Sequence, residues 1–451
     1  MDLQWICFPG SSFTGVEELR ELPEAFDGIK GQTVGFQDHI YTGPVAQQEP
    51  VTTLFLSAFE LEEDRVIPMG FGGKFFYRVF LNGRVILDNQ EYGNKPYFQP
   101  RPENFVVPVH GCKGKNLLAV TLTTPPETEV VFAFKVMERY PWRETLPTVE
   151  NFSRVISSAS YPQEDTPLRH ELCQLVQNGV RMMRSPVFDA FARNPDVEED
   201  KVLALENEFP ILWFYEKALD RIKSEVAAAA PGEDEVCFWH LYNKGYIIKS
   251  AKVCFGIDIS HRRGAELEPL LDFLLTTHNH GYHYTTELFS AMGKKGKPVI
   301  SNFHPLPGFH RPPAEFEFDG VKIVTAENDH NIRLKKFVTS YYMTFHNNCT
   351  VFDTGDSHNV TQLDPPGKVD LFIVHPRVGL KVPEAVEKFH PACVLYSHTL
   401  EMGHCPPSPW YAVPFDLLDE ERHAVALQGA AAIAPVWGEK LVWNTGKKSL
   451  V

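Results

Sequence analysis

The chain of 451 residues lacks the features that anchor a protein in a membrane or send it out of the cell. No apolar run approaches the roughly 18 residues needed to cross a bilayer. The N-terminal stretch MDLQWICFPGSSF has no basic region followed by an apolar one, so no secretory signal is expected. The eight cysteines are scattered without a CxxC pair, which suits reduced thiols. A cytoplasmic location is therefore predicted, and a secreted chain whose signal has been removed is the alternative.

An excess of basic residues is also missing. The formal net charge is -15, and because phosphates are bound largely by Lys and Arg, a nucleic acid is not expected as the main partner. A local basic site for a small anion stays open. We expect a small-molecule substrate, no membrane partner and either a monomer or a homo-oligomer. The length predicts two or three domains.

The first part of the chain is rich in short apolar runs separated by Gly, Asn and Pro. TTLFLSAFEL, KFFYRVFLNGRVIL, KNLLAVTLTT and EVVFAFKVM are examples, and their spacing favours an all-β sandwich over residues 1–145. Asn82-Gly83 predicts a type I′ hairpin turn. The segment 51–136 resembles the jelly-roll, galactose-binding-like modules of carbohydrate enzymes. That resemblance implies either sugar binding or a purely structural role.

The remainder of the chain divides into two further parts. Residues 146–232 show apolar residues at helical spacing, with Pro210 expected to break or kink a helix, and they are interpreted as a helical linker. In residues 233–451, strand patterns alternate with helical ones, which predicts an α/β domain. The predicted order is thus a β-sandwich, a helical segment and an α/β domain.

Three histidines are clustered in the stretch LTTHNHGYHYTTELF, directly after the apolar run LLDFLL. Neutral imidazole is a common ligand of Zn²⁺ and similar cations, and a loop between a strand and a helix allows several ligands to converge. Further candidates follow other apolar runs in the same domain. The candidate metal ligands are His278, His280, His283, His330, Asp356 and His398.

The order and spacing of these residues resemble the metallo-β-lactamase-fold hydrolases, particularly the branch of L-ascorbate-6-phosphate lactonase. The family pattern is D-x5-H-x-H-x-D-H, then a lone His, then TGD and a final His. The resemblance covers about residues 236–445 and implies an αββα sandwich. It assigns one metal to His278, His280 and His330, and a second to His283 and His398, with Asp356 bridging. Asp272 corresponds to the carboxylate outside the ligand set that orients the motif loop.

The sequence departs from the family pattern at Tyr282, where the motif has an aspartate that binds the second metal. A neutral phenol, with a pKa near about 10, is a poor ligand and a poor base at pH 7. One firmly held ion is therefore predicted, most simply zinc, with manganese or iron as alternatives, and a weakened second position. Asp356, Tyr282 and His283 are the predicted catalytic residues, and His398 is a further candidate base.

Other polar residues near the motif are candidates for substrate binding or for supporting the ligands. Glu401 and His404 lie close in sequence to His398, and His304 and His310 lie in a loop that could cover the site. For each of these four, an ordinary loop residue is the alternative interpretation.

The resulting hypothesis is a metal-dependent hydrolase that uses a metal-activated water on a lactone, ester or phosphoester of a small, sugar-derived substrate. A catalytically degenerate metal- or carbohydrate-binding protein is the main alternative, because Tyr282 replaces the motif aspartate. A nuclease is the third alternative, and the acidic composition counts against it.

Overall fold

The computed structural model describes residues 3–10, 12–46, 48–74, 76–88, 100, 102, 105–137, 147–158, 167–183, 185–376, 378–402 and 415–451. The chain packs as two compact units. One comprises Met1–Leu146, Asn178–Asp189 and Met402–Tyr411, and the other comprises Pro147–Gln177, Ala190–Glu401 and Ala412–Val451. Within the described ranges, no helix combines the length and the apolar composition that crossing a membrane requires.

The first unit is built from short strands. These are β1 (Trp5–Gly10), β2 (Ala25–Phe26), β3 (Ile29–Lys30), β4 (Gln32–Val34), β5 (Ile40–Val45), β6 (Val51–Leu61), β7 (Arg65–Gly73), β8 (Phe76–Leu81), β9 (Arg84–Asp88), β10 (Phe105–Gly111), β11 (Gly114–Thr124) and β12 (Glu129–Val136). They form a six-stranded sheet, β4-β1-β6-β11-β8-β9, a four-stranded sheet, β10-β7-β12-β5, and the ribbon β2-β3.

The core of this unit lies between the two larger sheets. Every second residue of a strand points inward, and Tyr77, Val79 and Leu81 of β8 illustrate this period. The ring of Trp5 in the six-stranded sheet packs edge-on against Phe132 of the four-stranded sheet, with the ring centroids 5.4 Å apart. The unit is therefore an antiparallel β-sandwich.

The predicted hairpin turn is confirmed. Strand β8 ends at Leu81 and β9 begins at Arg84, so Asn82 and Gly83 form the connection. Both have positive φ, 49° and 77°, as a type I′ turn requires. A Cβ atom at position 83 would also come within 2.0 Å of the Glu17 carbonyl oxygen, so only glycine fits there.

The described residues between 147 and 228 form five helices, namely α1 (Val149–Ser158), α2 (Pro167–Met182), α3 (Ser185–Ala192), α4 (Glu199–Glu208) and α5 (Pro210–Ala228). Pro210 separates α4 from α5, as predicted, because a helix accepts proline in its first turn but not in its interior.

The second unit contains the remaining strands and helices. The strands are β13 (Glu235–His240), β14 (Tyr246–Ser250), β15 (Cys254–Ile257), β16 (Phe273–Leu275), β17 (Val299–Ile300), β18 (Ala314–Phe318), β19 (Val321–Asn328), β20 (Val338–Phe345), β21 (Thr350–Asp353), β22 (Leu371–Val374), β23 (Cys393–Tyr396), β24 (Ala431–Ile433), β25 (Lys440–Asn444) and β26 (Ser449–Leu450). The helices are α6 (Thr286–Lys294), α7 (Val382–Phe389) and α8 (Phe415–Ala426).

These strands form two seven-stranded sheets with an apolar core between them. The orders are β17-β16-β15-β14-β13-β25-β26 and β18-β19-β20-β21-β22-β23-β24. Buried residues of both sheets meet in one cluster, for example Phe273 and Phe255 of the first sheet and Val351 and Leu371 of the second. In each sheet a parallel run, β15-β16-β17 and β21-β22-β23-β24, brings the carboxyl ends of its strands to one edge.

Helices cover the outer faces of these sheets. On the first sheet, the Trp239 indole donates to Glu225 of α5 at 2.9 Å, and Lys249 of β14 donates to two carbonyl oxygens at the end of α5. On the second sheet, buried residues of α7 and α8, such as Val386 and Val425, pack with Phe372 and other outward-facing strand residues. The second unit is thus a mixed α/β structure with helix, sheet, sheet and helix layers.

Candidate metal centre

The candidate metal ligands of the sequence analysis all lie in loops that directly follow strands of the second unit. His278, His280 and His283 follow β16, and His330 follows β19. In the second sheet, Asp356 follows β21 and His398 follows β23. The structure brings these six residues together in groups whose ligand atoms lie within 4.8 Å of one another.

Asp356 lies at the middle of the cluster. Its Oδ2 atom lies near one ring nitrogen from each of four imidazoles, at 3.7 Å from His278, 3.4 Å from His283, 3.6 Å from His330 and 3.6 Å from His398. Two ligand atoms bonded to one ion at about 2.1 Å in tetrahedral geometry are about 3.4 Å apart, so these separations suit shared ions. The other oxygen, Oδ1, is buried and has no hydrogen-bond partner among the described residues.

One candidate ligand group consists of His278, His280 and His330. The Nε2 atom of His278 lies 3.0 Å from Nδ1 of His280. Phe337 packs against all three rings, with centroid distances of 5.5, 5.0 and 6.2 Å, and so forms an apolar wall beside the group. This is the group to which the resemblance assigns the firmly held ion.

Two further groups share Asp356. One joins it to His278 and His283, and the other joins it to His375 and His398. His375 follows β22 and is buried. The carboxylate at position 356 therefore belongs to two of the three groups, as expected for a bridging ligand between two ions.

Asp258 fixes the orientation of the histidine loop. Its carboxylate accepts hydrogen bonds from the Thr277 N–H and hydroxyl, both at 2.7 Å, and from Nδ1 of His283 at 2.9 Å. Because the single Thr277 hydroxyl hydrogen is used in this way, that oxygen accepts from Nδ1 of His278 at 3.0 Å. Both imidazoles therefore direct Nε2 toward Asp356, and Nε2 is the nitrogen left available to a metal ion.

His398 is oriented in the same manner. Its Nδ1 atom contacts the carboxylate of Glu401, and its Nε2 atom lies 3.1 Å from Nε2 of His283. With both Nδ1 atoms directed at carboxylates, two lone pairs face each other at this distance and repel unless a proton or a metal ion lies between them. The geometry therefore favours a cation at this point.

Burial and neighbouring charges set the protonation of the metal-free centre. Burial alone would raise the pKa of Asp356, but electrostatic interactions with the neighbouring His398 and His283 outweigh it, and the pKa lies well below its ordinary value. Burial alone would lower the pKa of His283. The neighbouring carboxylates of Asp356 and Asp258 outweigh this effect and raise the pKa to about 10. Burial and the charge on His283 hold the pKa of His278 far below its usual range. The centre thus stabilises one positive charge between two carboxylates.

A tight turn after β13 ties the two ligand loops together. Asn243, at a φ of 57°, donates from its side chain to the carbonyl oxygen of Tyr282 at 2.9 Å and accepts at its own carbonyl oxygen from the His398 N–H at 2.9 Å. The neighbouring residue, Lys244, forms a fully buried ion pair with Asp353, Nζ to Oδ1 2.8 Å. These contacts fix the spacing between the loops after β16 and β23.

Gly355, inside the TGD motif, allows the loops after β16 and β21 to approach. Its φ is 55°, and a Cβ atom there would come within 2.4 Å of the Val338 side chain and 3.1 Å of Thr277 Cβ. A larger residue would push Asp356 away from the histidine loop.

The other predicted residues are not among the three candidate ligand groups found in the described part of the chain. The carboxylate of Asp272 precedes β16 and accepts from the Cys254 N–H at 2.8 Å, so Asp258, not Asp272, orients the histidine loop. The rings of His304 and His310 pack edge-on against Phe289 and Phe316 and belong to none of the three groups. His404 lies outside the described residues, and Tyr282 is half-buried.

Sequence reasoning did not assign Asp258, Thr277 or Asn243 to the site. Asp258 and His375 nevertheless share one sequence signal with the predicted ligands. Asp258 directly follows the apolar strand CFGI, and His375 directly follows LFIV. In the same way, His398 follows the strand CVLY after one intervening residue. Polar residues at the carboxyl ends of neighbouring parallel strands meet at one edge, and this rule applied to every strand identifies both.

The donor set fits a divalent transition-metal ion. Buried imidazole nitrogens with one acceptor-only carboxylate are ligands that zinc, iron and similar ions accept, whereas magnesium and calcium prefer oxygen. The buried Oδ1 atom of Asp356, which has no hydrogen-bond partner among the described residues, is explained by such an ion.

No protein-family model and no curated protein matches the chain. Among solved structures, a metallo hydrolase from the archaeon Ignicoccus hospitalis KIN4/I is similar at 15% identity and a TM-score of 0.37, over 47% of this chain and 99% of that one. CmlA, a diiron β-hydroxylase from Streptomyces venezuelae, is similar at 13% identity and a TM-score of 0.35, over 47% of this chain and 54% of CmlA.

A metallo-β-lactamase motif mutant from Cronobacter sakazakii is similar at 13% identity and a TM-score of 0.23, over 43% of this chain and 91% of that one. Because all three TM-scores lie below 0.5, no property of these proteins is carried over to this chain. The metal site rests on the geometry of its own residues.

Proposed function

We propose that the chain is a metal-dependent hydrolase whose centre is formed by the loops after β16, β19, β21 and β23. One observation carries the proposal. Imidazoles from these loops converge on Asp356, and carboxylates on the far side of His283 and His398 direct their Nε2 atoms inward. The Nε2 atoms of His283 and His398 lie 3.1 Å from each other and 3.4 and 3.6 Å from Oδ2 of Asp356, which are separations that suit ligands of a shared ion.

In this proposal, His278, His280 and His330 hold the first ion, and Asp356 extends the centre toward His283 and His398. A bound ion lowers the pKa of a water molecule toward about 7 and polarises a carbonyl or phosphoryl oxygen. Asp258 and Glu401 keep the imidazoles in the binding tautomer, and Phe337 excludes water from one side.

Tyr282 takes a different role from the motif aspartate. A neutral phenol is a weak base, but with an ordinary pKa near about 10 it is a suitable donor to an alkoxide leaving group. Its main chain is held by Asn243, so its position in the loop is defined. Tyr282 is thus proposed to assist the leaving group, not to activate the nucleophile. Substrates with a poor alkoxide leaving group should depend on it most.

The proposed substrate class is a lactone, ester or phosphoester of a small molecule, with sugar-derived compounds first among them. The support is the resemblance of the motif order to the lactonase branch and of the β-sandwich to carbohydrate-enzyme modules. The acidic composition makes a nucleic-acid substrate the less favoured choice.

The test combines metal analysis with turnover. Protein purified without chelators, and reconstituted with zinc, manganese or iron, is assayed on a sugar lactone, an aryl ester and a bis-aryl phosphate. His278→Ala is expected to lose the ion and to reduce turnover to background. His423→Ala, an exposed histidine on α8, is the matched control and should change neither.

Three results would change the proposal. Metal binding that depends on His278 without turnover of any substrate class favours the degenerate binding protein. Failure to bind any of the three metals in wild-type protein would contradict the metallohydrolase altogether. A salt-dependent affinity for RNA or DNA would instead favour the nuclease.

A further inference from the structure

His375 is a buried histidine beside the centre that the proposed function does not use. It directly follows β22, the strand between those that carry Asp356 and His398, so all three side chains emerge at the same edge of the second sheet. One ligand atom from each of the three lies within 4.8 Å of the others. The fold therefore places an additional imidazole on the side of Asp356 that faces His398.

This is also the side on which the sequence lacks a ligand. The motif that this chain resembles has an aspartate at position 282 for the second ion, and here the residue is Tyr282. His283, Asp356 and His398 alone offer three donors, and a fourth is needed to complete a closed tetrahedral set.

We propose that His375 replaces the missing carboxylate and completes a second metal site with His283, Asp356 and His398. The proposal rests on the proposed function, because it requires that the centre bind metal at all. The sequence predicts a second metal site that is weakened by Tyr282. In this proposal the second site is instead complete and consists mainly of imidazole ligands.

The contrast with other buried histidines supports this assignment. His261 is also buried and stacks on an aromatic ring, but its Nε2 lies 3.3 Å from the Tyr215 carbonyl oxygen and its Nδ1 accepts from the Arg263 N–H at 3.1 Å. Those main-chain contacts identify a structural residue. For His375, the structure shows that one ring nitrogen lies within 4.8 Å of ligand atoms of both Asp356 and His398.

The ring geometry specifies what binding requires. The rings of His375 and His398 are nearly parallel, 10° apart, with their centroids separated by 3.9 Å. Nitrogens of two parallel rings do not point at one position, so one ring has to rotate when both bind the same ion.

The substitution of an imidazole for a carboxylate has two chemical consequences. The second position becomes richer in nitrogen and therefore favours zinc, cobalt or iron over magnesium. The centre also carries one negative charge fewer than the motif would provide. A bound pair of divalent ions then retains more positive charge, which favours an anionic group on the substrate.

The experiment counts ions in the full-length chain after reconstitution with Co²⁺. Elemental analysis gives the stoichiometry, and the visible absorption of Co²⁺ reports a four- or five-coordinate site independently of activity. Wild type is expected to bind about two ions, His375→Ala about one, and the double variant His375→Ala/Tyr282→Asp about two again. His423→Ala is the control for the loss of an imidazole, and His375→Gln keeps the side-chain volume should the alanine variant not fold.

Each alternative result has a defined meaning. Two ions in both wild type and His375→Ala, or one ion in both, would overturn the role of His375 while leaving the proposed function in place. In the one-ion case, the remaining ion should be lost in His278→Ala. No ion in wild type would overturn the proposed function itself, and the second site with it.

Discussion

The two ends of the parallel strands in the second unit use polar residues in opposite ways. At the amino ends, a carboxylate one residue before a strand binds the first residue of the neighbouring strand. Asp272 accepts from the Cys254 N–H in the first sheet, and Asp370 accepts from the N–H and hydroxyl of Thr350 in the second, both at 3.0 Å. At the carboxyl ends, imidazoles and a carboxylate converge from several strands.

The difference separates groups that stabilise the fold from groups available for binding. Asp272 and Asp370 satisfy main-chain donors that β-pairing leaves open, so their hydrogen bonds close locally. At the other end, the buried Oδ1 atom of Asp356 has no protein partner within the described part of the chain, and ring nitrogens of His283 and His398 lie 3.4 and 3.6 Å from its Oδ2 atom. A binding site is therefore recognised by polar atoms that have no hydrogen bond from the surrounding protein, more than by the number of its polar residues.

Lys244 and Asp353 are the exception at the carboxyl ends, because they form a fully buried ion pair with each other. Lys244→Met should lower the free energy of unfolding by about 3–5 kcal/mol, since it leaves an uncompensated buried carboxyl group. Urea unfolding in the presence of a chelator measures this loss. The double variant Lys244→Met/Asp353→Leu should recover most of it, and a double variant as unstable as the single one would contradict the pairing argument.

The same variant has a defined pH dependence. Burial is the largest influence on Asp353 and raises its pKa even with Lys244 present. Without the ammonium group, its pKa in the folded state should lie further above its value in the unfolded state. The folded state then binds more protons, so the stability of Lys244→Met relative to wild type should rise as the pH falls from neutral toward 5. If the difference in stability between Lys244→Met and wild type stays constant over this pH range, Asp353 is not the group that titrates.

A variant at Asp370 tests whether the carboxylates at the amino ends of the strands stabilise the fold. Asp370→Ala removes the acceptor of the Thr350 N–H and hydroxyl at a buried position, and we expect a loss of about 2–3 kcal/mol in the free energy of unfolding. The affinity for metal should stay within about twofold of wild type, because the site lies at the opposite ends of the strands. Chelator competition measures that affinity, and a large loss would show that the two ends are coupled.

Asp258 should show the reverse pattern. Asp258→Asn keeps the shape of the side chain but removes the charge that Nδ1 of His283 contacts, so metal affinity should fall about 10–100-fold. Competition with a chelator of known affinity gives this number, and circular dichroism checks the fold. Unchanged affinity would mean that Thr277 alone orients the imidazoles.

The assignment of Asp258 could not be made from the family spacing alone. Both Asp258 and Asp272 flank strands before the histidine motif, and only the parallel pairing of β15 with β16 places one at the site and the other at the far end. The candidate ligands His278 and Asp356 could be predicted because each follows an apolar strand within a recognisable motif. His304 also lies near the histidine motif in sequence, but its ring packs on Phe289. No pattern in the sequence indicates this contact.

Asp272 gives the smallest expected effect and the sharpest contrast with Asp258. Its side chain is exposed and accepts one hydrogen bond from the Cys254 N–H, so Asp272→Ala should lower the free energy of unfolding by only about 1 kcal/mol. Metal affinity should be the same as in wild type. The two aspartates lie fourteen positions apart in sequence, yet the fold assigns one to stability and the other to the metal centre. A loss of metal affinity in Asp272→Ala comparable to that in Asp258→Asn would restore the motif-based assignment and reject the division between the two ends of the strands.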